Sequence, residues 1–261
     1  MAKKESVGRT FAAIIVLCLV CSVVVSGAAV LLKPKQEENK ALDVQTNIVQ
    51  VAGLGRENVA ENYKKYIDAR LWDIETGQFS DQPVAGYDQR AAAKETATSV
   101  ALTPSEDPAG IRRRANLVPV YMAKNENGEL DSIILPMHGQ GLWSTMYAFV
   151  AVAPDGETIK GITYYDQGET PGLGGEVENP TWRAQFVGKK LYDENGKPAI
   201  KVVKGEAPAD SASSVDGLSG ATLTSKGVQQ TFEFWLGDKG FGPFLTDVQE
   251  GKLQTGELNN G

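Results

Sequence analysis

The sequence predicts an α+β protein, with a single N-terminal transmembrane helix followed by a soluble domain of antiparallel strands and flanking helices. Three observations carry this. Phe11 to Leu32 contains no charged residue. From Leu117 onward, short apolar runs alternate with turn signals. Near the C-terminus, Val228, Phe232, Trp235 and Leu236 recur on one helical face.

The elements follow in order. At about 1.5 Å per residue, the uncharged segment is long enough for a hydrocarbon core of about 30 Å. It exceeds an ordinary signal-peptide core, so it is read as a retained anchor, although Ser26-Gly27-Ala28 offers a small-residue cleavage alternative. Leu17 and Val20 are too bulky to precede a lipoprotein cysteine at Cys18 or Cys21. Lys3, Lys4 and Arg9 precede the span, while Lys33, Lys35 and Lys40 follow it diluted by Glu37 and Glu38. The expected orientation is N-terminus inside and domain outside.

Residues 33–40 read as a polar linker. Asn58 and Glu61 have capping-box spacing, and Val59, Tyr63, Tyr66, Ile67, Leu71 and Ile74 continue at helical spacing. Residues 77–112, rich in Ala, Gly, Pro and Thr, read as irregular. Strands are expected at Leu117–Lys124 and Leu130–Pro136, joined by the Asn127-Gly128 turn, then at Trp143–Ala153 and Ile159–Tyr165, joined by Pro154-Asp155-Gly156. A short helix at Thr181–Val187, a strand at Ile200–Val203 and a helix over 224–236 complete the pattern. The expected domains are a cytoplasmic N-terminus (1–10), a transmembrane helix (11–32), a linker with a helical and irregular lobe (33–116) and the main domain (117–261).

Composition narrows the function. Net charge is −7, which disfavours nucleic acid because phosphate contacts need clustered Lys and Arg. The short run Arg112-Arg113-Arg114 reads as a solvated loop or a partner contact. His138 is the single histidine, and both cysteines lie in the apolar segment. No histidine-rich metal site or cysteine-held zinc is expected, and no catalytic triad, because His138 comes with no GxSxG elbow. His138 is read as structural.

Three small-residue stretches could carry chemistry. Asp216-Gly217-Leu218-Ser219-Gly220-Ala221-Thr222 lies just before the C-terminal helix. A phosphate on Thr222 would meet free backbone N–H groups at the helix start. By physical chemistry alone, Thr222 or Thr224 is first of all an ordinary N-cap. Gly139-Gln140-Gly141-Leu142-Trp143-Ser144-Thr145 and Glu169-Thr170-Pro171-Gly172-Leu173-Gly174-Gly175 let a backbone approach a planar ring, or are plain loops.

Taken together, the three stretches resemble the FMN-binding domain family, whose flavinylation motif matches Asp216 to Thr222. Their order and the N-terminal anchor are similar to the C-subunit family of bacterial sodium-translocating NADH:quinone oxidoreductases. The resemblance implies FMN in phosphoester linkage to Thr222, installed by a flavin transferase that uses FAD and magnesium and reads Asp216 and Gly217. It implies cofactor contacts from Trp143, Ser144, Thr145, Glu169, Thr170, Gly172, Leu173, Leu218, Ser219, Gly220 and Ala221. Lys204 is a further candidate, or an exposed strand-end lysine. The implied role is a single-electron relay between NADH and ubiquinone in a multi-subunit complex of the bacterial inner membrane, with the domain in the periplasm. This chain, with no intramembrane carboxylate, carries no sodium path and no catalytic residue of its own. The alternatives are the G subunit of the related ion-translocating ferredoxin:NAD oxidoreductase and a non-redox membrane-anchored scaffold.

Overall fold

The computed structural model describes residues 7–253. Lys3, Lys4 and Glu5, with most of the expected cytoplasmic N-terminus, lie outside the described residues, as do residues 254–261. The chain divides into two compact units, Met1–Val44 and Gln45–Gly261.

Helix α1 (Val7–Val51) is long and apolar enough to cross a membrane. It does not stop at Leu32. The expected linker at 33–40 is helical, because Lys, Gln, Glu and Ala are strong helix formers, and Lys33 pairs with Glu37 one turn on, at 3.8 Å. Pro34 lies inside this helix.

In the second unit, α2 (Val59–Tyr66) is shorter than its periodicity suggests. Asn58 is left-handed (φ 51°) and makes no side-chain cap, so the expected capping box does not form. Instead the Asn62 amide donates to the Leu54 and Glu57 carbonyls at 3.3 and 3.0 Å. Ile67 turns extended, and Ile67–Asp73 is strand β1, not the end of a helix. Leu71 and Trp72 are both buried although adjacent, which suits a strand covered on both faces.

The expected irregular stretch holds β2 (Gln78–Ser80), α3 (Gln89–Ala92), a 3-10 turn, β3 (Ser99–Ala101) and, just beyond it, β4 (Arg113–Ala115). β3 and β4 pair with each other. Here the arginine run departs from its expected solvated loop. Arg113 donates to the Ser99 hydroxyl and carbonyl, and buried Arg114 donates to the Lys239 carbonyl at 2.8 Å.

Next come β5 (Leu117–Lys124), β6 (Leu130–Gln140), β7 (Thr145–Val152) and β8 (Ile159–Asp166). The main sheet is six-stranded and antiparallel throughout, in the order β2-β1-β5-β6-β7-β8. β1 sits beside β5, so the boundary expected at 116/117 falls inside one folding unit. β6 runs four residues past its expected end, to Gln140, and β7 starts at Thr145, leaving Trp143 and Ser144 in the hairpin loop between them.

After β8 come a 3-10 turn (Gly174–Glu178), α4 (Pro180–Ala184), the parallel pair β9 (Lys201–Val203) and β10 (Ser214–Asp216), α5 (Thr222–Trp235) and α6 (Gly242–Gln249). The core unites Val118, Ile133, Leu135, Met146, Val150 and Trp72 of the sheet with Phe232 and Trp235 of α5 and Phe244 and Leu245 of α6.

Helix α5 lies close against the end of β6, and glycine makes this possible. A Cβ on Gly227 would sit 2.3 Å from the Gln140 carbonyl oxygen. A Cβ on Gly139 would sit 2.1 Å from the Thr231 Oγ1. The Trp235 indole N–H donates to the His138 carbonyl at 2.7 Å and ties the far end of the helix to the same strand.

Candidate functional site

The start of α5 is the site's centre. Thr222 is its first residue and is exposed. The N-cap is Ala221, with no side-chain cap, so neither Thr222 nor Thr224 fills the capping role that physical chemistry alone would give it. The first-turn N–H groups of a helix lack intrahelical acceptors, and the helix dipole leaves that end partially positive.

The residues before Thr222 form a tight turn. The Ala221 N–H donates to the Leu218 carbonyl at 3.1 Å. Gly220 has φ 71°, and a side chain there would also come within 2.8 Å of Leu173. Leu218 and Ala221 are buried, while Ser219 and Gly220 are exposed. The buried Ser225 hydroxyl accepts from the Leu218 N–H at 2.9 Å, anchoring the turn to the helix it precedes.

Glu169 joins this turn to the other two stretches. Its side chain is only 4% exposed. Oε1 accepts from the Trp143 and Ser144 N–H groups at 2.9 and 3.1 Å. Oε2 accepts from the Leu142 N–H at 3.1 Å and from the Thr224 hydroxyl at 2.6 Å. Burial pushes this carboxyl's pKa up, but the Thr224 hydroxyl and the three backbone donors outweigh it and hold the group below the ordinary glutamate range. Gly141 and Gly174 crowd the carboxylate, since a Cβ on either would fall within 3 Å of it. The family resemblance implies Glu169 as a cofactor contact. In the structure both its oxygens accept from protein donors.

The other expected residues are distributed around this hub. Trp143 is 69% exposed and Leu173 42% exposed, so both present apolar surface. Ser144 Oγ accepts from the Gly168 N–H at 2.7 Å, and the Thr145 hydroxyl donates to Gln140 at 3.3 Å. The Thr170 carbonyl accepts from Leu173 and Gly175, closing a turn in which Gly172 has φ 75°. Lys204 is exposed and stands beside Gly217, at the opposite end of the motif from Thr222.

Asp216 is committed internally. Its carboxylate accepts from the Ala207 N–H at 2.7 Å and the Gln185 amide at 3.0 Å, while its carbonyl accepts from the Trp182 indole at 2.8 Å. Gly217 is required by packing, because a Cβ would fall 2.3 Å from the Val203 carbonyl oxygen. His138 stacks on Tyr147 (5.3 Å between centroids) and abuts Trp235. Burial, then the nearby Arg90 charge, lowers its pKa to about 4.

Sequence reasoning missed two apolar members, Leu142 (44% exposed) and Leu223 (58% exposed). Together with Trp143 and Leu173 they account for most of the large exposed apolar side chains outside α1. Leu142 and Leu223 also border a hollow of about 280 Å³ that reaches Gly110, Lys226 and Gln230. The signal was present as Leu flanking Trp143 and Leu after Thr222, but a leucine beside a motif reads as core until its exposure is known.

The fold and this junction of three loops define a flavin-binding class of domain: residues 141–237 match the FMN-binding domain family. The chain is 55% identical over 257 residues to the C subunit of the Na(+)-translocating NADH-quinone reductase of Yersinia pestis, covering 97% of each chain. It is 59% identical over 254 residues to the corresponding C subunit of Vibrio alginolyticus, covering 97% of this chain and 99% of that one. Among solved structures, NqrC of Shewanella oneidensis superposes with a TM-score of 0.75 at 39% identity, covering 79% of this chain and 96% of that one. The C subunit of the Parabacteroides distasonis reductase gives a TM-score of 0.65 at 29% identity, covering 82% and 97%. The chain belongs to the family of Na(+)-translocating NADH-quinone reductase C subunits.

Proposed function

We propose that this chain is the flavin-bearing subunit of a sodium-translocating NADH:quinone reductase, carrying FMN in phosphoester linkage on Thr222. The observation that carries the reading is the contrast between two hydroxyls on one helical turn. Thr222 is exposed at the uncapped start of α5, whereas Thr224 is buried and its hydroxyl is held by Glu169. The residues fit the group. A phosphate on Thr222 would meet the free first-turn N–H groups. Trp143, Leu173, Leu142 and Leu223 offer exposed apolar surface for a planar ring. Gly220 keeps open the space that a side chain would fill against Leu173.

Bound FMN supplies one-electron redox chemistry, and the protein supplies its tether, its apolar surroundings and its hydrogen bonds. The chain relays electrons between NADH and quinone within the complex. α1 anchors it in the bilayer, and the domain faces the periplasm, where the flavin transferase meets it. Asp216 and Gly217 serve this maturation by holding the motif's turn in shape. A denaturing gel under ultraviolet light tests the attachment. The wild-type chain, produced with the transferase, fluoresces, Thr222→Ala is dark, and Thr224→Val still fluoresces. A dark wild-type band, or fluorescence that survives Thr222→Ala, sinks the assignment.

A further inference from the structure

We propose that Glu169 is the positioning residue of the flavin site: its carboxylate holds the 141–144 loop to the start of α5 and leaves Thr222 as the hydroxyl the motif presents. The inference rests on the reading of Thr222 as the flavin tether, and it concerns a residue whose side chain need not touch the flavin.

An ionised carboxylate is acceptor-only, with about four lone-pair sites. Glu169 meets four donors: the N–H groups of Leu142, Trp143 and Ser144, and the Thr224 hydroxyl. These come from two segments far apart in sequence, and Glu169 supplies the third. No other side chain among the described residues accepts from these three N–H groups. Trp143 and Leu142 project from the loop so held, and Thr222 lies half a turn from Thr224 on the helix so held. Beyond the backbone packing of α5 on the end of β6, Glu169 is therefore the side chain that links the apolar wall directly to the helix carrying the tether.

Glutamine cannot replace it. A carboxamide has one acceptor oxygen and one NH₂ donor. With the oxygen facing Trp143 and Ser144, the NH₂ faces the Leu142 N–H, donor against donor. Only the Thr224 hydroxyl can reverse and accept. With the amide flipped, two N–H groups face the NH₂ instead. Either way at least one backbone bond is lost, although size and shape are kept.

The test uses two variants of the full chain, Glu169→Gln and Thr224→Val, with two readouts. Hydrogen exchange is measured at the Leu142, Trp143 and Ser144 amides in the Thr222→Ala background, where no flavin attaches, so this readout stands apart from the flavin reading. The visible circular dichroism of the flavin is measured with Thr222 intact and scaled to bound flavin. Glu169→Gln is expected to speed exchange at one or more of the three amides at least tenfold and to change the flavin signal. Thr224→Val leaves the backbone bonds in place, so it should preserve amide protection while still changing the flavin signal, because only the link to α5 is cut. Wild-type exchange and wild-type dichroism in Glu169→Gln would overturn the proposal. Should that variant not fold, an unchanged flavin signal in Thr224→Val overturns it instead. A wild-type chain without covalent flavin refutes the tether itself, a separate outcome.

Discussion

Replacing Gly227 with alanine should reverse the usual rule for helices. In an exposed helix interior, Gly→Ala stabilises by about 1 kcal/mol. Gly227 lies inside α5, and its added Cβ would fall 2.3 Å from the Gln140 carbonyl oxygen and 3.2 Å from the Gly141 Cα. Both obstacles are backbone at the end of β6, so no side-chain rotation relieves them. The helix must back away by roughly 1 Å to restore van der Waals distance. Overpacking of this kind costs about 1–3 kcal/mol, occasionally more. Retreat also strains the Trp235 bond to the His138 carbonyl, of 2.7 Å, itself worth about 1 kcal/mol. Set against the gain in propensity, the net loss is about 1–3 kcal/mol. For a unit of this size, about 2–4 °C is lost per kcal/mol, so the melting temperature should fall by roughly 2–12 °C. Thermal melting of the full chain in detergent, followed by near-ultraviolet dichroism of its tryptophans, reads this directly. A melting temperature equal to or above wild type would refute the close seating of α5 on β6, and with it the placement of Thr222 relative to the 141–144 loop.

Two further outcomes follow from the same packing. Gly139→Ala places a methyl 2.1 Å from the Thr231 Oγ1, so it should destabilise, and the Gly139→Ala/Thr231→Ala pair should lose less than the sum of the single changes, by about 1 kcal/mol in a double-mutant cycle of denaturant titrations. Additive losses would mean that the two residues do not meet. His138, held neutral by burial and by Arg90, has a folded pKa of about 4 against 6.5 for the free side chain. Protons then bind the unfolded chain preferentially between these values, so stability is full above pH 6.5 and falls by up to about 3 kcal/mol as pH drops towards 4. Titrating the melting temperature between pH 7 and 4 should show this slope flattened in His138→Phe, and an unchanged slope would refute the burial.

What the sequence made legible depended on how local the physics was. The meander β5 to β8 is written in alternating apolar runs and in the Asn127-Gly128 and Pro154-Asp155-Gly156 turns, all short-range signals. The long apolar helix α1 is written in the absence of charge between Phe11 and Leu32. By contrast, Ile67 to Asp73 keeps helical spacing after α2 and becomes a strand only because β5 lies beside it, a partner about 50 residues away that no local pattern announces. Arg114 reads as a solvated cation until the Lys239 carbonyl is brought to it by the fold. α6 escapes a sequence reading because Gly242 and Pro243 read as breakers, whereas proline is well tolerated in the first turn of a helix.

The site divides along the same line. Its motif residues are legible through the family resemblance, since small residues and hydroxyls at a helix start by themselves read as an ordinary N-cap. Glu169 is named by the same resemblance, but its hydrogen bonds are not legible, because three of its four donors are backbone N–H groups, which every residue except proline possesses and no side-chain pattern encodes. A carboxylate in a glycine-rich loop therefore reads as a ligand contact. In the structure it accepts from four protein donors, and the glycines explain how. Gly141 and Gly174 leave room for the carboxylate between their chains, while Gly139 and Gly227 let α5 come close enough for Thr224 to reach it. The conformational entropy lost in ordering so many glycines disfavours folding. Charge-assisted hydrogen bonds, roughly twice as strong as neutral ones, offset part of that cost at the point where the three segments meet. A site built this way is buried at its hub and exposed at its rim, which is the arrangement the proposed flavin tether calls for: an attachment point beside open apolar surface.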